Sequence, residues 1–188
     1  AAVVTDAVRE AGTQPGSVAI TGQGDGCWIT DENFPPVRPA LSWLDGRAAA
    51  LVDTWSRFGV LEGVFRISGG AMFPGAPAAA LKWLDLNEPQ TLDRAATVGC
   101  CKDAIFGRLT GMRATDPSDA SMPLGDGTGM GYSDRVLELT ELTHRRSLLP
   151  PIVAPVPVAE LTGEGAALLG LPAGTPVTSG PFDFPACG

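Results

Sequence analysis

The sequence has a single histidine, His144, and no excess of basic residues: 13 Lys and Arg stand against 21 Asp and Glu, for a formal net charge of −8. Affinity for nucleic-acid phosphates comes mainly from clustered Lys and Arg, so no nucleic-acid partner is expected. Acidity still allows a small ligand held in a local pocket. No apolar run reaches the ~18 residues that a membrane span needs, and no membrane partner is expected. Only 18% of residues are charged, and no block of like charge is long enough for a disordered tail. The four cysteines, Cys27, Cys100, Cys101 and Cys187, match no metal signature, and neighbours such as Cys100 and Cys101 rarely bridge each other. They read as reduced thiols of an intracellular protein, with no bound metal. The opening segment AAVVTDAVREAG lacks the basic stretch and apolar run of a signal peptide, which makes a cytoplasmic location the expectation. There is no internal repeat.

What is present is enough for a core. The 188 residues are 44% hydrophobic, which suits one domain with or without appendages. A helix is expected over residues 1–11, with Val3, Val4, Ala7 and Val8 on one face and Gly12 at its end. A turn at 14–16 leads to an apolar strand, Ser17–Thr21, the helix-then-strand order of an α/β layer. Gly22, Gly24 and Gly26 then break regular structure and let backbone approach a ligand. A second strand is expected at Cys27–Thr30. Helices are expected over 45–58, capped by Asp45 and stopped by Gly59; over Ala76–Leu86; over Lys102–Leu109, with Gly111 past its end; and over Ser133–Leu142, capped by Ser133. Pro150, Pro151, Pro155 and Pro157 make an extended connector. A short helix at Gly165–Leu169 and a turn at 172–174 precede a last strand, Pro176–Ser179. A strand and a turn at the very end, with nothing packed after them, suggest a chain cut from a longer one.

Five segments, in order, resemble the FGGY carbohydrate kinases: Ile20-Thr21-Gly22-Gln23-Gly24-Asp25-Gly26; Leu41-Ser42-Trp43-Leu44-Asp45-Gly46-Arg47-Ala48; Met72-Phe73-Pro74-Gly75 with Leu81-Lys82-Trp83-Leu84; Lys102-Asp103 with Leu109-Thr110-Gly111 and Thr115–Ser121; and Gly174-Thr175-Pro176-Val177 with Gly180-Pro181-Phe182-Asp183. Gly24-Asp25-Gly26 is most similar to the xylulose, L-xylulose and erythritol kinases of that family. Ala80 stands where the family usually has lysine, with Lys82 nearby, and Leu86 where it has a polar or acidic residue. The resemblance implies an α/β, ribonuclease-H-like (actin-like ATPase) domain with helical insertions, incomplete because the opening phosphate-binding hairpin and the C-terminal ATP domain are absent. Residues 1–188 would then be most of the N-terminal sugar-binding domain. The implied activity is ATP-dependent phosphorylation of a sugar or polyol, of the pentulose or tetritol class. ATP and Mg2+ would serve the complete enzyme, and the fragment alone would be inactive. A non-catalytic sugar-binding or regulatory module on the same fold is the alternative, and surfaces left bare by the missing parts could favour a homodimer.

Phosphoryl transfer to a hydroxyl needs positioning, charge stabilisation and one base. Read from its residues alone, Asp183 is a loop aspartate that caps the next helix; the resemblance makes it the general base. Asp25, between glycines, can grip vicinal hydroxyls as an ionised carboxylate or stabilise its own turn. The resemblance also places Gly26, Trp43, Met72 and Phe73 near the sugar; Trp43 suits the apolar face of a sugar ring, but packing is an equal use for the last three side chains. Trp28, Trp55 and Trp83 read as packing. Asp119 reads as a turn or cap residue, and His144 as a cation complementing a helix dipole. Asp45 and Arg47 read as a pair at a helix start.

Overall fold

The computed structural model describes residues 2–121, 123–128 and 130–187. Ala1, where the first expected helix begins, and the terminal Gly188 lie outside them. The chain opens with α1 (Ala2–Ala11), whose Val4 and Val8 turn one face onto a core cluster; Gly12 follows at φ 66°. Strands β1 (Val18–Ile20) and β2 (Trp28–Thr30) come next. Helices α2 (Ala49–Arg57) and α3 (Val60–Ser68) are separated by Gly59 at φ 75°. The stop expected at Gly59 is therefore also the start of a helix the sequence pattern did not reveal. Then follow α4 (Pro77–Asn87), α5 (Pro89–Asp93), β3 (Thr97–Gly99) and α6 (Cys101–Thr110). The second half holds α7 (Pro117–Ala120), α8 (Asp134–Leu139), a 3-10 segment (Thr143–Leu148), β4 (Val158–Glu160), α9 (Gly163–Leu169), β5 (Pro176–Ser179) and α10 (Asp183–Ala186).

Local chemistry explains most boundaries. Ser133 Oγ accepts from the Val136 N–H at 3.2 Å and Thr162 Oγ1 from the Gly165 N–H at 3.0 Å, each satisfying an amide that a helix start leaves open. Gly111 ends α6 at φ 73°, a conformation that costs glycine least. The cap expected from Asp45 is not made: Asp45 Oδ1 accepts from Arg47 N–H at 3.0 Å and Arg47 Nε–H at 2.8 Å, and α2 begins four residues later without a side-chain cap. The arginine then lies over the Trp83 ring at 4.8 Å, so the expected Asp45–Arg47 pairing holds. The proline-rich connector is extended as expected, but it also carries β4. Three-residue strands such as β3 and β4 are too short to show an alternating pattern.

Two small sheets organise the rest. In one, β1 runs parallel to β5 (Val18 opposite Val177, Ile20 opposite Ser179) and β4 pairs antiparallel with the other edge of β5. In the second, β2 and β3 are antiparallel. Helix α6 lies across both, sending Phe106 and Leu109 into a core shared with Ile20, Val177, Leu161 and Ala166. Burying the fully enclosed Phe106 side chain contributes about 1.5–3 kcal/mol. A larger core joins β2 and β3 to α3, α4 and α8 through Ile29, Val64, Leu81, Leu84, Val98 and Val136. Trp55 is buried as expected. All four cysteines are free thiols. Among the described residues no helix is long and apolar enough to cross a membrane.

Candidate active site

Because β1 and β5 are adjacent and parallel, the loops that leave their C-terminal ends emerge side by side. One is Thr21–Gly26, the other Gly180–Asp183, and they are tied together. The Gly180 N–H donates to Ile20 O at 2.9 Å, the Asp183 N–H to Gly22 O at 2.8 Å, and Thr21 Oγ1–H to Pro181 O at 2.8 Å. Gly24 lies against the Phe182 ring so closely that a Cβ there would sit 2.5 Å from it. That contact explains the glycine without appeal to flexibility. Open α/β sheets characteristically bind ligands beyond the carboxyl ends of their strands.

The two loops and Trp43 line a cleft of about 610 Å³, formed by Gln23, Gly24, Asp25, Trp43, Phe182, Asp183 and Phe184. That size falls within the ~300–1,000 Å³ of small-molecule sites. Asp25 takes the left-handed conformation (φ 58°), which aspartate tolerates better than most residues. Its Oδ1 is buried and has no hydrogen-bond partner. A buried acceptor left unpaired costs free energy and calls for an explanation such as a ligand. Burial, and next the charge of Asp183, push the Asp25 carboxyl up to about 6. The carboxyl that the unfolded chain would ionise near 3.8 therefore keeps its proton longer in the fold. Its ionisation opposes folding as pH rises through that interval.

Asp183 is exposed at the first position of α10, with Oδ1 accepting from the Phe184 N–H at 2.9 Å. It is not the cap read from sequence: the N-cap position belongs to Phe182, which makes no side-chain cap bond, and Asp183 holds only the amide of the next residue. Trp43 presents an exposed side chain, 47% accessible. Behind it Gly75 packs so tightly that a Cβ would lie 1.9 Å from the Trp43 carbonyl oxygen. The Gly26 N–H donates to Gly75 O at 3.0 Å.

Three expected contact residues are therefore placed differently. Gly26, Met72 and Phe73 do not line the cleft. Gly26 is buried at φ 77° beneath Trp28 and Leu41, Met72 packs into two core clusters, and Phe73 is half-buried in the turn before α4. Their segment supports Asp25 and Trp43 from behind because the tie runs through Gly75. Conversely, Phe182, Phe184 and Gln23 were not singled out from sequence. Phe184 is 83% exposed, beside Asp183, and an aromatic flanking a proposed base was the available signal.

A second cluster lies inside the protein. The Lys102 ammonium, with no exposed side-chain surface, is within 3.2 Å of Asp103 Oδ1, 2.5 Å of Asp116 Oδ1 and 3.0 Å of Asp119 Oδ2. Burial alone would lower the Lys102 ammonium, but the three carboxylates outweigh it and hold it above its usual range. Burial, then the Asp103 charge, push Asp119 up to about 7. Asp119 therefore lies in a buried ion cluster, whereas the cap of α7 is made by Asp116 and not by Asp119. Cys100 Sγ and the Asp103 and Asp119 carboxylates lie within 4.8 Å of one another. The ammonium already supplies the cation there, and burial pushes the Cys100 thiol well up, away from the thiolate that binds metals.

Other charges are also satisfied locally. Lys82 pairs with Asp85 at 3.5 Å and Glu141 at 3.2 Å. The His144 ring meets Asp85 Oδ1 at 3.0 Å, so its partner is a carboxylate and not the helix end expected from sequence. A larger groove of about 790 Å³ beside α6, lined by residues such as Trp28, Phe34, Val37, Ile105 and Arg108, has among its described residues no carboxylate or histidine to act as a base.

Known proteins resemble this chain in sequence and in fold. The family model described as the N-terminal domain of the FGGY family of carbohydrate kinases matches residues 1–187. Erythritol kinase from Brucella abortus is 38% identical over 169 residues, covering 89% of this chain and 32% of that protein. L-xylulose/3-keto-L-gulonate kinase from Escherichia coli is 32% identical, covering 92% of this chain and 35% of that protein. Ligand-bound xylulose kinase from Lactobacillus acidophilus superposes with a TM-score of 0.85 at 21% identity, over 96% of this chain and 37% of that one, a likeness of fold alone. Xylulose kinase from Rhodospirillum rubrum gives 0.77 at 28% identity, over 93% and 36%. The chain spans about a third of the length of the curated relatives it matches. Its architecture is the α/β, ribonuclease-H-like, actin-like fold of these kinases, and the chain belongs to the FGGY family of carbohydrate kinases, as that family's N-terminal domain.

Proposed function

We propose that this chain is the acceptor-binding domain of an ATP-dependent sugar or polyol kinase of the relatives' length, with the opening phosphate-binding hairpin and the ATP domain elsewhere in that enzyme. The observation that carries this reading is the pairing of Asp25, with its unpartnered buried oxygen, and Asp183 in one cleft at the ends of two adjacent parallel strands. A neutral polyol hydroxyl suits that environment. It can donate to Asp25 Oδ1, which relieves the cost of an unsatisfied acceptor. Trp43 and Phe184 offer aromatic faces for carbon-bound hydrogens. Asp183, at the adjacent strand end, accepts the acceptor hydroxyl's proton as its oxygen bonds to the γ-phosphorus of ATP and the bond from that phosphorus to ADP breaks, ADP leaving. Tetritols and pentuloses are the acceptor class favoured by the relatives' names.

The phosphoryl donor of such an enzyme is ATP, and the cleft does not fit it. Its lining holds two carboxylates and neither Lys nor Arg, so a polyphosphate would be repelled. No step is therefore derived through nucleotide contacts to this chain. Mg2+ accompanying the nucleotide takes oxygen ligands, and among the described residues that line the cleft Asp25 and Asp183 are the ones with carboxylate oxygens.

Isothermal titration of the full-length enzyme with erythritol and with D- and L-xylulose tests the reading. One of these binds at one site per chain, with Asp25→Ala weakening it at least about tenfold, as expected for a buried charge-assisted hydrogen bond. ATP is consumed only in its presence. Binding without ATP turnover would make the protein a sugar-binding module, and no binding by any of the three would remove the acceptor site.

A further inference from the structure

We propose that Ser118 is a positioning residue for the Asp183 loop, linking it to the buried Lys102 cluster; this rests on the assignment of Asp183 as the base. The chain of contacts is continuous. Lys102 Nζ donates to Asp116 Oδ1, whose other oxygen, Oδ2, accepts from the Ser118 N–H at 2.8 Å as the cap of α7. Ser118 Oγ in turn accepts from the Phe182 N–H at 3.1 Å, across 64 residues of sequence. Phe182 is the residue before Asp183.

Each link is constrained. Lys102 is fully enclosed, and its ammonium can move only by leaving one of its carboxylates. Asp116 is itself buried, and two of its partners fix both of its oxygens. Ser118 is half-buried on a four-residue helix whose start is fixed by the Asp116 cap. Phe182 is gripped from the other side, where its ring abuts Gly24 of the Asp25 loop. The Phe182 amide is thus held by α7 while the Asp183 amide is held by Gly22 O. Two consecutive amides tied to separate elements leave the Asp183 backbone little freedom. The Lys102 cluster sits outside the cleft, yet sets the distance between the two carboxylates inside it. Small misplacements of a reacting group are costly to rate while leaving ground-state binding nearly intact.

The test is steady-state kinetics of the full-length enzyme with three variants. Ser118→Ala removes the acceptor for the Phe182 N–H and is expected to lower kcat about 10- to 100-fold, with KM for polyol and ATP within about threefold of wild type. Ser118→Thr keeps the hydroxyl and restores kcat. Ser121→Ala, which removes the Ser121 Oγ–H donation to Ser118 O at 2.8 Å, loosens the same helix without touching Phe182 and leaves kcat near wild type. The acid limb of the kcat–pH profile moves in Ser118→Ala and not in Ser121→Ala, because only the first shifts Asp183 relative to Asp25. The proposal is overturned if Ser118→Ala keeps wild-type kcat, or if Ser121→Ala loses as much, which would mean that helix integrity alone matters. Asp183→Asn, measured alongside, separates the two levels. If it retains wild-type kcat, the base assignment and this inference both fall; if it is inactive while Ser118→Ala is normal, only the inference falls.

Discussion

If Asp183 is the base proposed above, Asp183→Asn in the full-length enzyme is expected to lower kcat by about 10²- to 10⁴-fold, the range a positioned general base contributes. Asparagine has nearly the same shape, and its side-chain oxygen can still accept from the Phe184 N–H, so α10 keeps its start. It cannot take up the hydroxyl proton. The loss therefore falls on kcat, while KM for the polyol stays within a few-fold of wild type, the signature of an interaction made mainly in the transition state. Melting of the variant is expected to match the parent, since Asp183 is exposed and tied to the fold through its backbone. Steady-state ADP release, read beside a thermal scan, checks both halves. Retention of most of the wild-type rate would show that the proton leaves by another route.

The largest stability effect belongs to Lys102→Met. Methionine fills much of the same volume but leaves Asp103, Asp116 and Asp119 around a space with no cation. Removing one partner from a buried ion set costs about 3–5 kcal/mol, and a domain of this size loses ~2–4 °C of Tm per kcal/mol, so Tm falls by about 6–20 °C. The sign of the pH dependence follows from the charges. Without the ammonium, Asp103 and Asp119, which burial already raises, hold protons more tightly in the folded protein than in the unfolded chain. The folded state then binds more protons, and stability falls as pH rises above the ordinary carboxylate range. The deficit of the variant should be smallest near pH 4 and widen toward pH 8. Urea denaturation at several pH values measures it. A variant as stable as the parent at neutral pH would mean that the cluster is not the anchor described here.

Much of this could be read from residue types and spacing. Where a boundary is made by a special residue it was legible: Ser133 before α8, Gly111 after α6, and the apolar run that became β5 with the expected limits. The strands β3 and β4 were not: three residues cannot display a period, and the equally short β1 and β2 were legible only from the turn and glycine signals beside them. Helix α3 was hidden because Gly59 reads as a stop, although a left-handed glycine can join two helices as readily as end one. In the cleft, Asp25, Trp43 and Asp183 were found through a family resemblance, and the parallel pairing of β1 with β5 then explains why residues 158 positions apart face each other. Gly26, Met72 and Phe73 lie one layer behind the residues that line the cleft, where spacing alone cannot tell lining from support. The buried Lys102 was beyond reach, since nothing in Lys102-Asp103 shows that the ammonium is withdrawn from water until Asp116 and Asp119 are seen around it.

The account stands on the proximity of two carboxylates, and the most direct measurement is a carbon-13 NMR titration of the Asp25 side-chain carboxyl in this chain, before and after Asp183→Asn. The Asp25 midpoint is expected near the raised value of about 6. It should fall when the Asp183 charge is removed, yet remain above the ordinary 3.8, because burial is the larger cause. Between those limits the folded form holds a proton that the unfolded chain gives up, so domain stability should decline over the same interval as pH rises. An Asp25 that titrates near 4 and does not respond to the loss of Asp183 would place the two groups apart and contradict the site.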